Sequence, residues 1–202
     1  MNFFDYFQIG SVALFVLTIL VKTLYLRSRN INPIAIGGGK KGFVLAVEVF
    51  AFTALLAWII EILLYACHSE FRIFPWPFNV QLIDSQIAKL IGVVLISLGA
   101  LLFIWAYISF GDSWRVGFDV TTPGALVTSG VFSVSRNPIY LFLDLWFIGV
   151  FLINGTLIFL IFAVLALVVQ HWQILQEETY LLNLYGQPYQ VYLNKTGRYI
   201  GL

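Results

Sequence analysis

The sequence predicts an all-α, multi-pass membrane protein with about five transmembrane helices. The first observation is composition: 60% of the 202 residues are hydrophobic and 10% are charged, which leaves too little polar surface for a soluble domain of this length. The second is the length of the apolar runs, several of which reach the roughly 20 residues that a helix needs to cross a bilayer. The third is the lysine and arginine distribution, which is concentrated in alternate connections between these runs.

Three apolar runs in the N-terminal half predict one spanning helix each, at Ile9–Leu26, Phe43–Ala66 and Ile87–Phe110. After a polar stretch, the next apolar region, Ile139–Leu175, is too long for one ordinary span. Asn154-Gly155 interrupts it with a strong turn signal, so we expect a tight hairpin whose first helix, the fourth of the chain, is short. We divide the chain into three N-terminal helices (1–110) and a second region (111–202) that holds a polar connection, the hairpin and a tail.

The positively charged residues predict an orientation. On one side of the five predicted spans lie Arg27, Arg29, Lys40, Lys41, Arg115, Arg136, Lys195 and Arg198. The other side has mainly Arg72, with Lys89 at a helix start. Cytoplasmic loops carry the excess of Lys and Arg, which places the N-terminus outside and the C-terminus in the cytoplasm. The net charge of +1 gives no reason to expect a nucleic-acid partner, and a single cysteine cannot form a cysteine zinc cluster, so we expect no metal.

The stretch VSRNPIYLF (134–142) marks the entry to the fourth helix. Pro138 suits a first helical turn, where its missing N–H costs nothing. Asn137 can cap the helix, and Arg136 can lie at the lipid headgroup level. These structural interpretations account for every residue without any function.

Two acids near the end of the fifth helix are harder to explain. If the helix ended at Glu177 and Glu178, their negative charges would lie at the negative end of the helix dipole, which is unfavourable. Either the helix continues to about Tyr185-Gly186, with Gly186 as its stop, or the acids have a cationic partner. His171 and Glu178 are seven residues apart, about two turns, and share one face that could line a cavity.

Three further acids fall within the predicted spans. Asp144 follows Tyr140 by four residues, so both lie on one side of the fourth helix. An interhelical hydrogen bond and a functional role are both open for Asp144. For Glu48 and Glu61 we favour a structural role or proximity to a headgroup, since ionisable groups at membrane depth usually face the protein interior or water.

Three stretches in the C-terminal half, taken in order, resemble a known family. They are FGDSWRVGFD (110–119), GALVTSGVFSVSRNPIY (124–140) and EETYLLNLYGQPYQVYLNKTGRY (177–199). The ordered set is similar to the isoprenylcysteine carboxyl methyltransferase and phospholipid methyltransferase family of integral membrane enzymes. The resemblance implies S-adenosylmethionine as the cofactor, bound on the cytoplasmic side by the ends of the last two helices.

The resemblance also implies roles for individual residues. It assigns cofactor binding to Arg136, Asn137, Pro138, Tyr140, Glu177, Glu178 and Tyr189, and it places Tyr192 and Arg198 near cofactor and acceptor. The chain departs from the family at Asn137, where a histidine is common, and at Phe142, where a small residue is usual. No imidazole at position 137 can therefore act as the catalytic base.

The resemblance implies a lipophilic methyl acceptor that enters from the bilayer, and we favour a carboxylate of the isoprenylcysteine type. A carboxylate is already nucleophilic and needs only an arginine to place it, for which Arg115 and Arg198 are the candidates. A phospholipid or small amine is the alternative, and it would need a base, for which Glu178 or His171 is available. A reductase related to the sterol reductases and a non-catalytic membrane protein are the remaining hypotheses.

Overall fold

The structure is a computed structural model that describes residues 1–34, 41–114 and 125–201. Over these residues the chain forms helices and no strand: α1 (Phe3–Ser28), α2 (Gly42–Ala66), α3 (Gln86–Phe110), α4 (Pro138–Asn154), α5 (Leu157–Tyr185) and α6 (Gln187–Leu193), with 3₁₀ turns at Gly111–Ser113 and Gly130–Ser133. Four helices (α1, α2, α3 and α5) are long and apolar enough to cross a membrane, and α4 is a shorter apolar helix. The predicted all-α, multi-pass fold with a short fourth helix is confirmed.

The first helix begins earlier than predicted, at Phe3 rather than Ile9. Asn2 caps it, since its side-chain oxygen accepts hydrogen bonds from the backbone N–H groups of Phe4 (2.8 Å) and Asp5 (3.2 Å). The Asp5 side chain in turn accepts from the backbone N–H of Asn2, which completes a capping box. The polar side chains before Ile9 therefore start the helix rather than precede it.

Helices α3 and α4 pack closely through glycines. A Cβ added at Gly92 would lie 2.6 Å from the backbone oxygen of Gly149, and one added at Gly149 would lie 2.6 Å from Cγ1 of Ile96. Small residues at a helix crossing let the backbones approach, which is the usual basis of helix packing in membranes. The short helix α4 thereby becomes the centre of the bundle, with Phe142 and Trp146 almost fully buried.

The predicted turn at Asn154-Gly155 is confirmed, and a loop holds it in place. Gly155 adopts φ +64°, which glycine tolerates best, and a Cβ there would lie 1.7 Å from the backbone oxygen of Ile83. Its own oxygen accepts hydrogen bonds from the backbone N–H groups of Leu82 (2.7 Å) and Ile83 (3.0 Å). The connection between α2 and α3 is therefore bonded to the hairpin turn, at the end of the bundle that we call the turn end.

At the opposite end, the tail end, helix α5 continues to Tyr185 and stops at Gly186, which has φ +59°, as predicted. After α6 the chain returns to the start of α4. The backbone N–H of Arg136 donates to the oxygen of Gly197 at 3.0 Å, and the hydroxyl of Tyr192 donates to the oxygen of Phe132 at 2.7 Å. The fold thus brings the C-terminal tail beside the residues that precede α4.

Candidate functional site

Glu178 lies where the start of α4, the last turns of α5 and the tail meet. Arg198 approaches it with Nε at 3.2 and 3.1 Å from the two carboxylate oxygens and with Nη2 at 2.8 Å from Oε2. Arg136 Nη2 lies 3.2 Å from Oε1, and the side chains of Arg136 and Glu178 are each only 10% exposed. Both alternatives given for this acid therefore hold: the helix continues beyond it, and a pair of arginines is its cationic partner.

Asn137 joins the same group, which corrects the sequence prediction for it. Its side chain makes no capping bond to α4. The amide nitrogen instead donates to Glu178 Oε1 at 3.3 Å and to the backbone oxygen of Arg198 at 3.1 Å. These hydrogen bonds of the amide nitrogen fix the side-chain orientation, and in that orientation the amide oxygen makes no capping bond. We call Arg136, Asn137, Glu178 and Arg198 the Glu178 cluster.

The Arg136 side chain is largely enclosed by the protein. Besides Glu178, it uses Nη1 to donate to the backbone oxygen of Leu193 at 3.1 Å. Its Nε is buried and has no hydrogen-bond partner among the residues that the structure describes. A buried guanidinium N–H that is left over suits an anionic or strongly accepting ligand group.

Tyr140 and Glu177 form the next contact along the hairpin. The Tyr140 hydroxyl donates to Glu177 Oε2 at 3.2 Å. Tyr140 lies in the first turn of α4, which begins at Pro138. Arg136 and Tyr140 thus contact Glu178 and Glu177, the two adjacent acids of α5.

Two buried tyrosines border the cluster on the tail side. Tyr189 and Tyr192 are 2% and 7% exposed and pack with Ala106, Val131 and Phe132. Burial raises the pKa of Tyr189 well above its ordinary value, and the negative charge of Glu178 adds to the effect. Burial likewise raises the pKa of Tyr192 to about 12. Both phenols stay protonated near neutral pH, so they can donate hydrogen bonds but cannot act as bases.

A second group of polar side chains lies deeper in the hairpin. His171 Nδ1 is 2.8 Å from the hydroxyl of Tyr199. Burial, and next the negative charge of Asp144, raise the pKa of Tyr199, which places Asp144 near this pair. Gln170 precedes His171 and is 7% exposed. Gln170 was not singled out from the sequence, although it shares the face of α5 that carries Ile174 and Glu178 at steps of four residues.

The structure thus brings together most of the residues assigned from the sequence. Arg136, Asn137, Glu178 and Arg198 are in direct contact, and Tyr140 contacts Glu177. Pro138 shapes the entry of α4, and Tyr189 borders the cluster. Arg115, a candidate for placing the acceptor, lies outside the described residues. Their roles in binding and catalysis stay predictions.

The comparisons with known proteins agree with this architecture. Residues 87–188 match the family model described as phospholipid methyltransferase, a range that runs from α3 through the hairpin to the start of α6. No curated protein matches the chain. The family match covers half of the sequence and includes Arg136, Asn137, Tyr140 and both acids of α5, while Arg198 lies beyond its end. The chain therefore belongs to the phospholipid methyltransferase family of membrane methyltransferases.

Proposed function

We propose that this protein is an S-adenosylmethionine-dependent methyltransferase that acts on a lipophilic acceptor at the membrane. The observation that carries the proposal is the Glu178 cluster, in which a carboxylate, two guanidinium groups and an amide converge at one buried point. S-adenosylmethionine is a sulfonium cation with a carboxylate tail, and it supplies an electrophilic methyl group when bound. A ligand of that kind requires a site with both signs of charge.

The residues fit this cofactor in a specific way. The leftover N–H of Arg136 Nε would hold the carboxylate tail. Glu177 and Glu178 would accept hydrogen bonds from ribose hydroxyls or offset the positive charge. Tyr140 would orient Glu177 through the hydrogen bond between them. Because methyl transfer is a displacement, the contribution of these residues is positioning.

The acceptor would enter from the bilayer between the spanning helices. For a carboxylate acceptor of the isoprenylcysteine type, Arg115 or Arg198 would place the nucleophile. Arg198 already binds Glu178 through Nε and Nη2, so a carboxylate acceptor would use its Nη1 or compete with Glu178. An amine acceptor is the second candidate, and the buried carboxyl group of Asp144 favours it.

The orientation is part of the proposal. The positive residues at the tail end would place the Glu178 cluster at the cytoplasmic surface, where S-adenosylmethionine is available. A tag added after the C-terminus tests this in intact cells. Labelling of the tag only after the membrane is permeabilised is expected, and labelling from outside would reverse the orientation.

Calorimetry with detergent-purified protein tests the cofactor. S-adenosylhomocysteine should bind and NADPH should not, and Glu178→Ala or Tyr140→Ala should weaken binding. Glu70→Ala, which removes an exposed acid near the turn end, serves as the matched control and should bind normally. Binding of NADPH alone would favour a reductase, and binding of neither compound would favour a non-catalytic protein.

The class of acceptor is identified by whether the methylated product is stable to base. The protein is incubated with a labelled methyl donor and either a prenylcysteine analogue or a lipid extract. Label in base-labile esters supports a carboxylate acceptor. Label confined to base-stable products supports an amine.

A further inference from the structure

Helix α4 is too short to cross a whole bilayer. Its 17 residues extend about 25 Å at 1.5 Å per residue, whereas the hydrocarbon core is about 30 Å thick. The charged side chains of the Glu178 cluster keep the start of α4 at the tail-end surface, because charges are costly inside the hydrocarbon. The hairpin turn at Asn154-Gly155 should therefore lie about 5 Å within the hydrocarbon at the turn end.

The connection between α2 and α3 supplies hydrogen-bond partners to this turn. In addition to the bonds at Gly155, the backbone N–H of Leu157 donates to the oxygen of Val80 at 2.9 Å. The backbone N–H of Ile158 donates to the oxygen of Phe78 at 2.8 Å. Backbone groups at membrane depth need partners inside the protein, because no water is available there. The connection therefore lies against the turn at the depth where such partners are required.

Along the same connection, apolar side chains point outward at every second position. Four of them are exposed, at even-numbered positions: Trp76, Phe78, Val80 and Leu82. The polar side chains between them are bonded to the protein. Asn79 Oδ1 accepts from the Tyr65 hydroxyl at 2.6 Å, and Gln81 Nε2 donates to the backbone oxygen of Asn154 at 2.9 Å. This pattern is the reverse of a surface that faces water, and exposed apolar patches of this kind mark interaction or membrane surfaces.

Charged residues flank this stretch but do not occur within it. None lies between Arg72 and Asp84. At the first flank, the guanidinium carbon of Arg72 lies 4.3 Å from the centre of the Tyr65 ring. At the second, Lys89 Nζ donates to Asp84 Oδ1 at 2.6 Å. Residues 73–83, which we call the uncharged segment, can therefore enter the edge of the membrane while the flanking charges stay among the headgroups.

We propose that the uncharged segment lies in the interfacial region of the bilayer at the turn end and contacts phospholipid directly. It fills the space between the end of α4 and the membrane surface, and its exposed side chains meet the outer parts of the acyl chains. The exposed apolar surface continues along the chain into α3, at Ile87 and Leu90, so lipid around that helix also reaches the segment. Trp76 suits this position, because an indole ring favours the interface, where its N–H reaches polar headgroups.

Nitroxide spin labels test whether the segment faces lipid or water. Phe78→Cys and Val80→Cys are made in a Cys67→Ser background, since Cys67 is an exposed free thiol, and the labelled proteins are placed in phosphatidylcholine nanodiscs. Molecular oxygen concentrates in lipid and a neutral nickel chelate concentrates in water, so the ratio of their collision rates reports the surroundings. This ratio should be several-fold higher at positions 78 and 80 than for Glu70→Cys, the matched control at an exposed position of the same connection.

Other surroundings of the segment give different results. Frequent collisions with the nickel chelate at positions 78 and 80 mean that the segment lies in water, and they overturn the inference. Infrequent collisions with both reagents mean that protein, such as a second copy of the chain, covers the segment, and they overturn it equally. An unfolding midpoint equal to that of the Cys67→Ser parent shows that a labelled variant is folded.

The native Trp76, which is 80% exposed, gives a measurement that needs no label. Fluorescence of the wild-type protein and of Trp76→Phe is compared in nanodiscs of brominated phosphatidylcholine, and the difference isolates Trp76. Bromine near the headgroup end of the acyl chains should quench this difference more strongly than bromine near the chain ends. Strong quenching by dissolved iodide with little quenching by either bromolipid overturns the inference. Neither experiment involves cofactor, turnover or a particular orientation, so its outcome is independent of the proposed function.

Discussion

Arg198 and Glu178, twenty residues apart in sequence, are joined by a forked contact in which Arg198 Nη2 lies 2.8 Å from Glu178 Oε2 and Nε lies within 3.2 Å of both oxygens. The contact ties the C-terminal tail to α5. The same carboxylate contacts Arg136 and Asn137 at the start of α4. Glu178 therefore links three parts of the chain that are distant in sequence: the start of α4, the end of α5 and the C-terminal tail.

The first prediction concerns the docking of the tail. Arg198→Lys keeps the positive charge but loses the planar fork, so the tail should open more often. The Arg198 side chain is 35% exposed, so solvent screening reduces the expected cost to about 1 kcal/mol. Trypsin cleavage after Lys195 should become several times faster in detergent. Arg29→Lys, which alters an exposed pair with Asp112, should leave that rate unchanged, and equal rates for all three proteins would contradict the prediction.

The second prediction concerns Asn137, whose amide nitrogen faces two acceptors. Asn137→Asp replaces that donor by a carboxylate close to Glu178 Oε1, so like charges would meet at a buried position. The variant should lose about 2–4 kcal/mol of stability, measured by unfolding in detergent, and should bind S-adenosylhomocysteine weakly. Asn137→His should lose less stability, because its imidazole N–H can still donate a hydrogen bond. Asn183→Asp, on an exposed part of α5, is the control; equal losses at both sites would show that the contact does not matter.

The third prediction concerns the glycine crossing of α3 and α4. Gly149→Ala would place a Cβ 2.6 Å from Cγ1 of Ile96 and 2.8 Å from the backbone oxygen of Gly92, and the backbone cannot rotate away. Overpacking of this kind costs about 1–3 kcal/mol. Gly10→Ala is the matched control, since nothing lies within 4 Å of its Cβ position. The midpoint temperature of thermal unfolding in detergent should be lowered for Gly149→Ala and not for Gly10→Ala. An unchanged midpoint for Gly149→Ala would show that the two helices can move apart without cost.

The helices and the hairpin could be predicted from the sequence because they depend on local properties: apolar runs of spanning length, the Asn154-Gly155 turn and the Gly186 stop. The helix dipole left two alternatives for Glu177 and Glu178, continuation of the helix or a cationic partner, and the structure shows both for Glu178. The identity of its partners could not be predicted, because the return of Arg198 depends on tertiary contacts of the tail. The capping prediction for Asn137 was wrong for the same reason, since hydrogen bonds from its amide nitrogen to groups distant in sequence orient the side chain.

The fourth prediction concerns alkaline pH and Tyr192. Burial raises the pKa of Tyr192 to about 12, and its hydroxyl must keep its proton to donate to the oxygen of Phe132 at 2.7 Å. The folded state therefore holds this proton more tightly than the unfolded chain, whose tyrosines titrate near pH 10. The resulting stabilisation is complete below about pH 10 and is lost as the pH rises towards 12.

Tyr192→Phe isolates this effect. At pH 8 the variant should be less stable by about 1 kcal/mol, the net value of one hydrogen bond. Between about pH 10 and 12 it should lose less stability than the wild-type protein, so that the two unfolding curves converge. In the variant, the dependence of the unfolding free energy on pH should become weaker but should not disappear, because Tyr189 also has a raised pKa. Unfolding in detergent across this range measures both quantities, and parallel pH curves for the two proteins would exclude Tyr192 as a source of the alkaline loss.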